Sequence, residues 1–397
     1  RGGGRGRIAR PDRRNGPDGF WADGFWADGF WPGFDSSRRN RSDRGNGYRD
    51  DCGGHQHGDT HDGSQLTGPP MRAVVLVGGF GTRLRPLTNS VPKPMLPVGH
   101  RSILEAVVAQ LARGGVTSVV LALGFKPEPF LAAFPDGRCA GLPLEYAVEP
   151  EPLDTAGAIR FAAEAAGITD TFIVVNGDVI CDVDVGALAA FHRASGAEAT
   201  LHLTAVENPS AFGVVVLDPS GRVERFVEKP PAGTEDSNLI NAGTYVLEPA
   251  VLRRIPTGRK VSVEREVFPV MVSEGVLFGM PTDDYWLDTG QPHLYLRANL
   301  DLLDGGRRHD RCDAVAPTAK VATDAVVRHS VVGAGSSVGS GAVIEDSVIL
   351  PGAVIGAGAR VRSSAVAGTV EDNATLEDSV VGEAGVVARG AALTGAR

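Results

Sequence analysis

The chain has 397 residues, 42% of them hydrophobic and 22% charged, and a formal net charge of -9. That length supports two or three domains, each able to bury a core. No run of about 18 apolar residues is present, which excludes a transmembrane helix. The four cysteines (Cys52, Cys139, Cys181, Cys312) are scattered and lack CxxC spacing, which argues against a zinc ribbon or a disulfide scaffold. The acidic balance argues against a nucleic-acid-binding body and leaves small anions to be held by local features.

Residues 1–70 carry 11 Arg and 10 Asp with no Lys or Glu, a net of +1, so the remainder carries -10. With one Leu, one Ile and no Val, this segment cannot offset the cost of ordering and reads as a disordered, low-complexity tail. A five-residue repeat, Asp18-Gly-Phe-Trp-Ala, Asp23-Gly-Phe-Trp-Ala and Asp28-Gly-Phe-Trp, has neither helical nor strand period. Arg1-Gly-Gly-Gly-Arg-Gly-Arg resembles an RNA-binding tail. His55, His57 and His61 with Asp59 could hold a metal loosely, but a solvated tail is the simpler reading. Met71 stands directly before the first strand pattern and reads as the native start, with residues 1–70 as upstream sequence. No secretory signal is visible, so the expected compartment is the cytoplasm.

Arg72–Val77 is a continuous β-branched run, suited to a strand buried on both faces of a parallel sheet. Gly78-Gly-Phe-Gly-Thr-Arg-Leu-Arg-Pro86 follows at once. A glycine-rich turn after a buried first strand is where α/β folds hold phosphates on bare backbone N–H groups. It is neither a Walker A motif nor a good dinucleotide fingerprint, because no Gly-Lys-Ser/Thr follows and the third glycine is missing. Arg83, Arg85 and Lys93 nearby favour a polyphosphate over an empty turn. A helix is predicted from Ile103, Val107, Val108 and Leu111, capped by Ser102 and stopped at Gly114-Gly115. Val116–Leu123 reads as a strand, Thr155–Ala166 as a helix and Thr171–Val175 as a buried strand. This alternation predicts a doubly wound, mainly parallel (Rossmann-like) α/β sheet.

Asn176-Gly-Asp178 falls at the carboxyl end of that strand, the edge where open α/β sheets bind ligands. Alone it is an ordinary turn. With a second candidate, Asp288 in Trp286-Leu-Asp-Thr-Gly290, it offers two carboxylates that suit Mg²⁺ beside phosphate oxygens. Glu228-Lys229 ends a further strand, where an acceptor and a cation could hold a sugar hydroxyl and a phosphate. Asn241 and Gly243 interrupt the next strand, Asn238–Leu247, with polar or bare positions.

Taken together, these segments resemble the sugar-1-phosphate nucleotidyltransferases. The match rests on Gly78–Thr88 with Pro92-Lys-Pro-Met95, on Glu151-Pro-Leu-Asp-Thr-Ala-Gly157, on Asn176-Gly-Asp178, on Phe226-Val-Glu-Lys-Pro230, on Asn241-Ala-Gly243 and on Trp286–Gly290. It spans about 71–303. Pro92–Met95, Leu239–Val246 and Ser262-Val-Glu-Arg-Glu-Val-Phe-Pro269 look most like mannose-1-phosphate guanylyltransferases. The resemblance implies that Gly78, Gly79, Gly81, Thr82, Arg83 and Gly157 bind the nucleotide. It implies catalytic roles for Arg83, Lys93 and Asp178, and Mg²⁺ held by Asp178 and Asp288. Gly213, Glu228, Lys229 and Asn241 are implied to bind the sugar phosphate. The implied substrates are GTP, or another nucleoside triphosphate, and a sugar 1-phosphate. Asp154, where many members carry Gly, puts nucleotide choice in doubt. A dTTP- or UTP-dependent glucose 1-phosphate enzyme and a non-catalytic nucleotide-sugar sensor are the alternatives.

After residues 304–316, which read as a linker, aliphatic or small residues recur every six over 317–397. They are Val321 and Val327; Val332, Val338 and Ile344; Ile349, Ile355, Val361 and Ala367; then Val381, Val387 and Leu393. That period marks a parallel β-helix and resembles the left-handed hexapeptide-repeat helix of many such enzymes. The phase slips at 327–332 and 344–349, and a loop is expected to bulge out near Thr369–Thr375. Hexapeptide acyltransferases use a His base, but His329 reads as a surface turn residue. An assembly role, with a homo-oligomer, is expected.

Overall fold

The computed structural model describes residues 71–397 except Phe80, Phe125 and Lys126, so the readings on the N-terminal seventy residues lie outside the described residues. The first strand, β1 (Met71–Leu76), runs parallel to β2 (Val116–Leu123) on one side and to β4 (Phe172–Asn176) on the other, and β3 (Leu142–Val148) continues the parallel order beyond β2. Successive residues of β1 serve two cores, with Ala73 and Val75 in one and Val74 in the other. That alternation explains the unbroken β-branched run: both faces of the strand are covered.

Helix α1 (Ile103–Arg113) fills one face and α2 (Asp154–Ala165) the other. The start of α1 is fixed by a reciprocal capping box. Ser102 Oγ accepts from the Glu105 N–H at 3.1 Å, and Glu105 Oε2 accepts from the Ser102 N–H at 2.7 Å. Caps of this kind are worth about 1 kcal/mol.

The sheet then turns antiparallel. After β5 (Val179–Cys181) and α3 (Val185–Ser195) come β6 (Ala199–Ala205), β7 (Gly213–Leu217), β8 (Val223–Glu228) and β9 (Leu239–Leu247). Strand β9 lies antiparallel to β4, β6 and β7, and its register shifts between Asn241 and Tyr245. Helix α4 (Phe268–Glu274) leads to β10 (Leu277–Thr282), parallel to β6. Strand β11 (Trp286–Asp288) leaves the main sheet and pairs with β5 as a separate two-stranded ribbon. Helix α5 (Pro292–Leu303) completes this part.

From Val315 onward, short strands stack in three parallel sheets. Most coils advance by 17 residues, as from Val326 to Val343 to Arg360. The inward positions Val332, Val338, Ile344, Ile349, Ile355, Val361, Val381 and Val387 are buried in a column. Two expectations fail here. The segment near Thr369–Thr375 does not bulge: Val354 pairs with Thr369 and Arg360 with Thr375, a step of 15 residues. The turn is tightened, and Val366 and Val370 take the inward slots that the six-residue count gave to Ala367. Leu393 is exposed because its coil is the last and nothing covers it.

The phase slips have a local cause. At one corner of each coil His329, Asp346, Ser363 and Asp378 take positive φ between 42° and 46°. Each is followed by a buried serine: Ser330, Ser347, Ser364 or Ser379. Each serine hydroxyl accepts the N–H of the next serine one coil on, at 3.0, 3.1 and 3.0 Å, and the ladder closes on the Ala396 N–H at 2.9 Å. The corner thus satisfies backbone donors that the strands cannot reach.

One side of the β-helix packs against the α/β part. Val331, Val348, Leu350, Ala365 and Val380 belong to the same apolar cluster as Tyr295 and Leu302 of α5. Among the described residues, no helix is long and apolar enough to cross a membrane.

Candidate active site

The carboxyl edge of the parallel strands collects the glycine turn, Lys93 and the two predicted metal carboxylates. Gly78 and Gly79 follow β1 after the buried Val77 and are exposed, and a side chain at Gly79 meets nothing within 4 Å. Gly81 has φ +57, and a Cβ there lies 2.9 Å from Lys93 Cβ, so only glycine fits beside that lysine. Thr88 ties the turn by donating from Oγ1 to the Gly81 carbonyl at 2.8 Å. Thr82 and Arg83 sit in the short helical turn that follows, and both are exposed.

Lys93 is 3% exposed and bridges two carboxylates. Its Nζ donates to Asp178 Oδ2 at 2.9 Å and to Asp288 Oδ1 at 3.0 Å. The carboxylates lie more than a hundred residues apart in sequence and meet because β5 and β11 pair antiparallel, with Asp288 opposite Val179. Arg83 Nη2 stands 3.7 Å from Asp288 Oδ2. Gly290 makes room for it, since a Cβ there lies 2.6 Å from the guanidinium. The Gly290 N–H and the Thr289 hydroxyl fasten the second loop, donating to Asp288 Oδ1 at 2.9 Å and to the Asp178 carbonyl at 3.1 Å.

These two carboxylates already converge on one cation. They supply oxygen donors only, which suits a hard divalent ion whose remaining ligands are phosphate oxygens and water. Among the described residues, no group of three or more His, Cys, Asp or Glu is placed to hold a metal by protein ligands alone.

A second polar cluster forms where β7, β8 and β9 meet. Glu228 is the last residue of β8 and Lys229 follows it at φ +51, its Nζ 3.6 Å from Glu228 Oε1. Gly213 opens β7 opposite Glu228, and a Cβ there lies 3.0 Å from Glu228 Oε2. Asn241 donates from Nδ2 to the buried Tyr245 hydroxyl at 2.9 Å. Burial, with Glu264 as a negative neighbour, holds the Glu228 carboxyl above its usual range. Trp286 walls this region, packing edge-on against Phe212 at 5.3 Å and donating from Nε1 to the Ala242 carbonyl at 2.9 Å.

Glu264 received no role from sequence. It sits on a π-helical turn, Val263–Val267. Its Oε2 accepts from Thr155 Oγ1 and from Ser262 Oγ, both at 2.7 Å. Thr155 is the second residue of α2, so this bond ties the start of that helix to the π-helical turn. The polar Ser-Val-Glu-Arg-Glu run before Phe268 was the available signal. Gly157 lies inside α2, buried against Leu153, whose Cβ a side chain there would meet at 2.7 Å. Asp154 takes φ +62 at the start of α2, a conformation natural to glycine, and its Oδ1 accepts the Thr155 N–H at 2.8 Å. Glu149, also without a predicted role, is buried at the end of β3 and accepts the Leu153 N–H at 2.9 Å.

A glycine turn after the first parallel strand, a caged lysine and two convergent carboxylates define a phosphate-handling α/β enzyme. The nucleotidyl transferase family model matches residues 72–305, and a GlmU-like C-terminal hexapeptide model matches 300–371. The chain belongs to the nucleotidyl transferase family. Mannose-1-phosphate guanylyltransferase of Mycobacterium tuberculosis is 44% identical over 284 residues, covering 66% of this chain and 77% of the relative. Mannose-1-phosphate guanyltransferase of Schizosaccharomyces pombe is 44% identical over 253 residues, covering 63% and 69%. Among solved structures, HddC from Yersinia pseudotuberculosis aligns with a TM-score of 0.50 at 29% identity, over 58% of this chain and 98% of that one. A Bacillus anthracis protein named a putative glucose-1-phosphate thymidylyltransferase, at 24% identity and a TM-score of 0.52, shares the architecture over 58% of this chain and 94% of that one.

Proposed function

We propose that this enzyme transfers the guanylyl group of GTP to mannose 1-phosphate, releasing pyrophosphate and forming GDP-mannose. The observation that carries the chemistry is Lys93, caged between Asp178 and Asp288 next to the glycine-rich turn. The names of the relatives support the base and the sugar.

In this reading, an oxygen of the sugar phosphate attacks the α-phosphorus in line and the pyrophosphate leaves. The nucleophile is already ionised at neutral pH, because the second pKa of a phosphate monoester is about 6. No general base is needed, and the work falls to positioning and to offsetting the repulsion of two anions. The turn Gly78–Gly81 with Thr82 offers backbone N–H groups to the triphosphate, and Arg83 adds a guanidinium. Lys93 presents its ammonium to the reacting phosphate. Glu228, Asn241 and Glu264 accept or donate to sugar hydroxyls, and Lys229, facing solvent, takes the sugar phosphate. Asp178 and Asp288 would hold Mg²⁺, which when bound neutralises the α-phosphate and fixes its orientation. Cytoplasmic placement and a homo-oligomer built through the β-helix belong to the same proposal.

Pyrophosphate release is to be measured across a grid of nucleoside triphosphates and sugar 1-phosphates, with and without Mg²⁺. A metal-dependent maximum at GTP with mannose 1-phosphate is expected. A maximum at dTTP or UTP with glucose 1-phosphate refutes the substrate pair, and binding without turnover for every pair refutes the enzyme.

A further inference from the structure

The segment expected to be a linker holds one of the most deeply buried charges among the described residues. Arg307 is 3% exposed. It donates from Nε and Nη2 to Asp182 Oδ1 at 2.9 and 2.6 Å. Its Nη2 is 3.0 Å from Asp310 Oδ2, and the guanidinium lies 5.3 Å over the Tyr285 ring. The neighbouring Arg308 N–H donates to Asp182 Oδ2 at 2.9 Å. The Asp182 N–H in turn donates to the Tyr285 carbonyl at 2.9 Å.

Asp182 is the residue after β5, and Tyr285 the residue before β11. Arg307 therefore grips both strands of the two-stranded ribbon at one end. Asp178, just before β5, and Asp288, the last residue of β11, stand at the other end. Each strand is only three residues long. Isolated ribbons of this kind are marginal in water and take their register from outside contacts. Arg307 supplies one such contact from the chain segment that leads into the β-helix, at the end of the ribbon opposite the Thr289 bond to the Asp178 carbonyl.

We propose that Arg307 is a positioning residue for the active site: by clamping Asp182 and Tyr285 it sets the register of the β5–β11 ribbon and hence the separation of Asp178 and Asp288. It acts through the ribbon and touches neither substrate nor the reacting atoms. The separation of the two carboxylates decides how well they share a divalent ion. Partners behind metal-binding carboxylates change affinity by about 10- to 100-fold when removed. The activity arm of the test rests on the function proposed above, whereas the metal arm does not.

The test uses the full chain as wild type, Arg307→Met, Arg307→Lys and the pair Asp182→Asn/Arg307→Met. Mn²⁺ binding is followed by electron paramagnetic resonance, alone and with GTP, beside steady-state kinetics and thermal melting. Arg307→Met is expected to weaken Mn²⁺ binding about tenfold, lower kcat and leave the KM for GTP near the wild-type value. The paired variant removes the Arg307 and Asp182 charges and leaves Asp310 near Arg101 and Arg113 at 3.7 and 3.9 Å, so it recovers part of the melting temperature lost in Arg307→Met but not Mn²⁺ affinity. Normal Mn²⁺ affinity and kcat in folded Arg307→Met overturn the proposal, and so does joint recovery of stability and metal affinity in the paired variant. If Arg307→Met does not fold, Arg307→Lys keeps the charge without the fork, and normal Mn²⁺ binding there overturns the proposal equally. Weakened Mn²⁺ binding in a protein whose wild type turns over no substrate pair leaves the clamp standing and sinks the proposed function instead.

Discussion

Replacing Lys93 by Met keeps an unbranched stem in the buried slot and removes the ammonium held 2.9 Å from Asp178 and 3.0 Å from Asp288. Two opposed effects follow. In the proposed mechanism the reacting phosphates lose a preorganised cation, and losses of this type cost about 10²- to 10³-fold in kcat, or about 3–4 kcal/mol. The metal gains, because an ammonium and a divalent ion compete for the same two carboxylates. Two unit charges about 4 Å apart interact by about 4 kcal/mol at an effective dielectric near 20. The Asp178 side chain is 43% exposed, and solvent screening reduces the competition to about 1–2 kcal/mol. That corresponds to roughly a five- to thirtyfold lower metal concentration at half-saturation. Lys93→Met is therefore expected to be a slow enzyme that saturates with less Mg²⁺. Initial rates of pyrophosphate release against Mg²⁺, at saturating GTP and mannose 1-phosphate, read both quantities. Near-normal kcat refutes the role of Lys93 at the reacting phosphate, and a raised metal requirement refutes the competition.

Glu264→Gln keeps an acceptor for Thr155 and Ser262 but removes the charge, so the KM for mannose 1-phosphate should rise about tenfold, a charged hydrogen bond being worth about 1.5 kcal/mol or more. The KM for GTP should stay unchanged, and equal effects on both substrates count against the sugar assignment. His329 bonds Asp346 Oδ1 at 2.6 Å and Asp304 Oδ1 at 3.2 Å, and the hydrogen bond to Asp346 is the main cause of its raised pKa. A raised folded-state pKa stabilises fully below the unfolded value of about 6.5, and that stabilisation is lost as pH rises through the folded value. His329→Asn, which tolerates the φ of +42°, should thus lower the melting temperature at pH 6 and not at pH 8.5. The shift should stay within about 2 °C, since the group is largely solvated. An equal shift at both pH values removes the pH-dependent contact as its cause.

Much of the α/β part is legible because its signals are local. The β-branched run of β1, the Ser102–Glu105 cap and the Gly114 stop each act within a few residues. The ends of α2 and β4 follow from the same rules. The site is legible only as separate pieces. Nothing local to Asp178 or Asp288 says that they share one lysine, because the β5–β11 pairing that joins them spans more than a hundred residues of sequence. Arg307 was hidden for the opposite reason. Gly305-Gly-Arg-Arg308 has the composition of an exposed connection, and its burial depends on Asp182, far upstream. In the β-helix the six-residue period placed most inward side chains. It lost count at Ala367, because a coil two residues shorter leaves the period intact on either side.

The same long-range dependence bears on whether the α/β part stands alone. Val331, Val348, Leu350 and Val380 of the β-helix lie in one apolar cluster with α5 and the residues packed beneath it. Ending the chain at Asp313 removes them and uncovers their partners, Tyr295 and Leu302 among those affected. Burying a Val or Leu side chain contributes about 1.5–3 kcal/mol, so the four together contribute about 6–12 kcal/mol as an upper estimate. Whole domains are stable by about 5–15 kcal/mol. The contact is therefore of the order of the domain's entire stability. A chain truncated at Asp313 is expected to aggregate or to melt far below the full chain, with its metal-dependent activity lost at the same temperature. A truncated chain that melts within a few degrees of the full one and keeps its kcat would show that the β-helix face is an accessory to the catalytic fold, not part of its core.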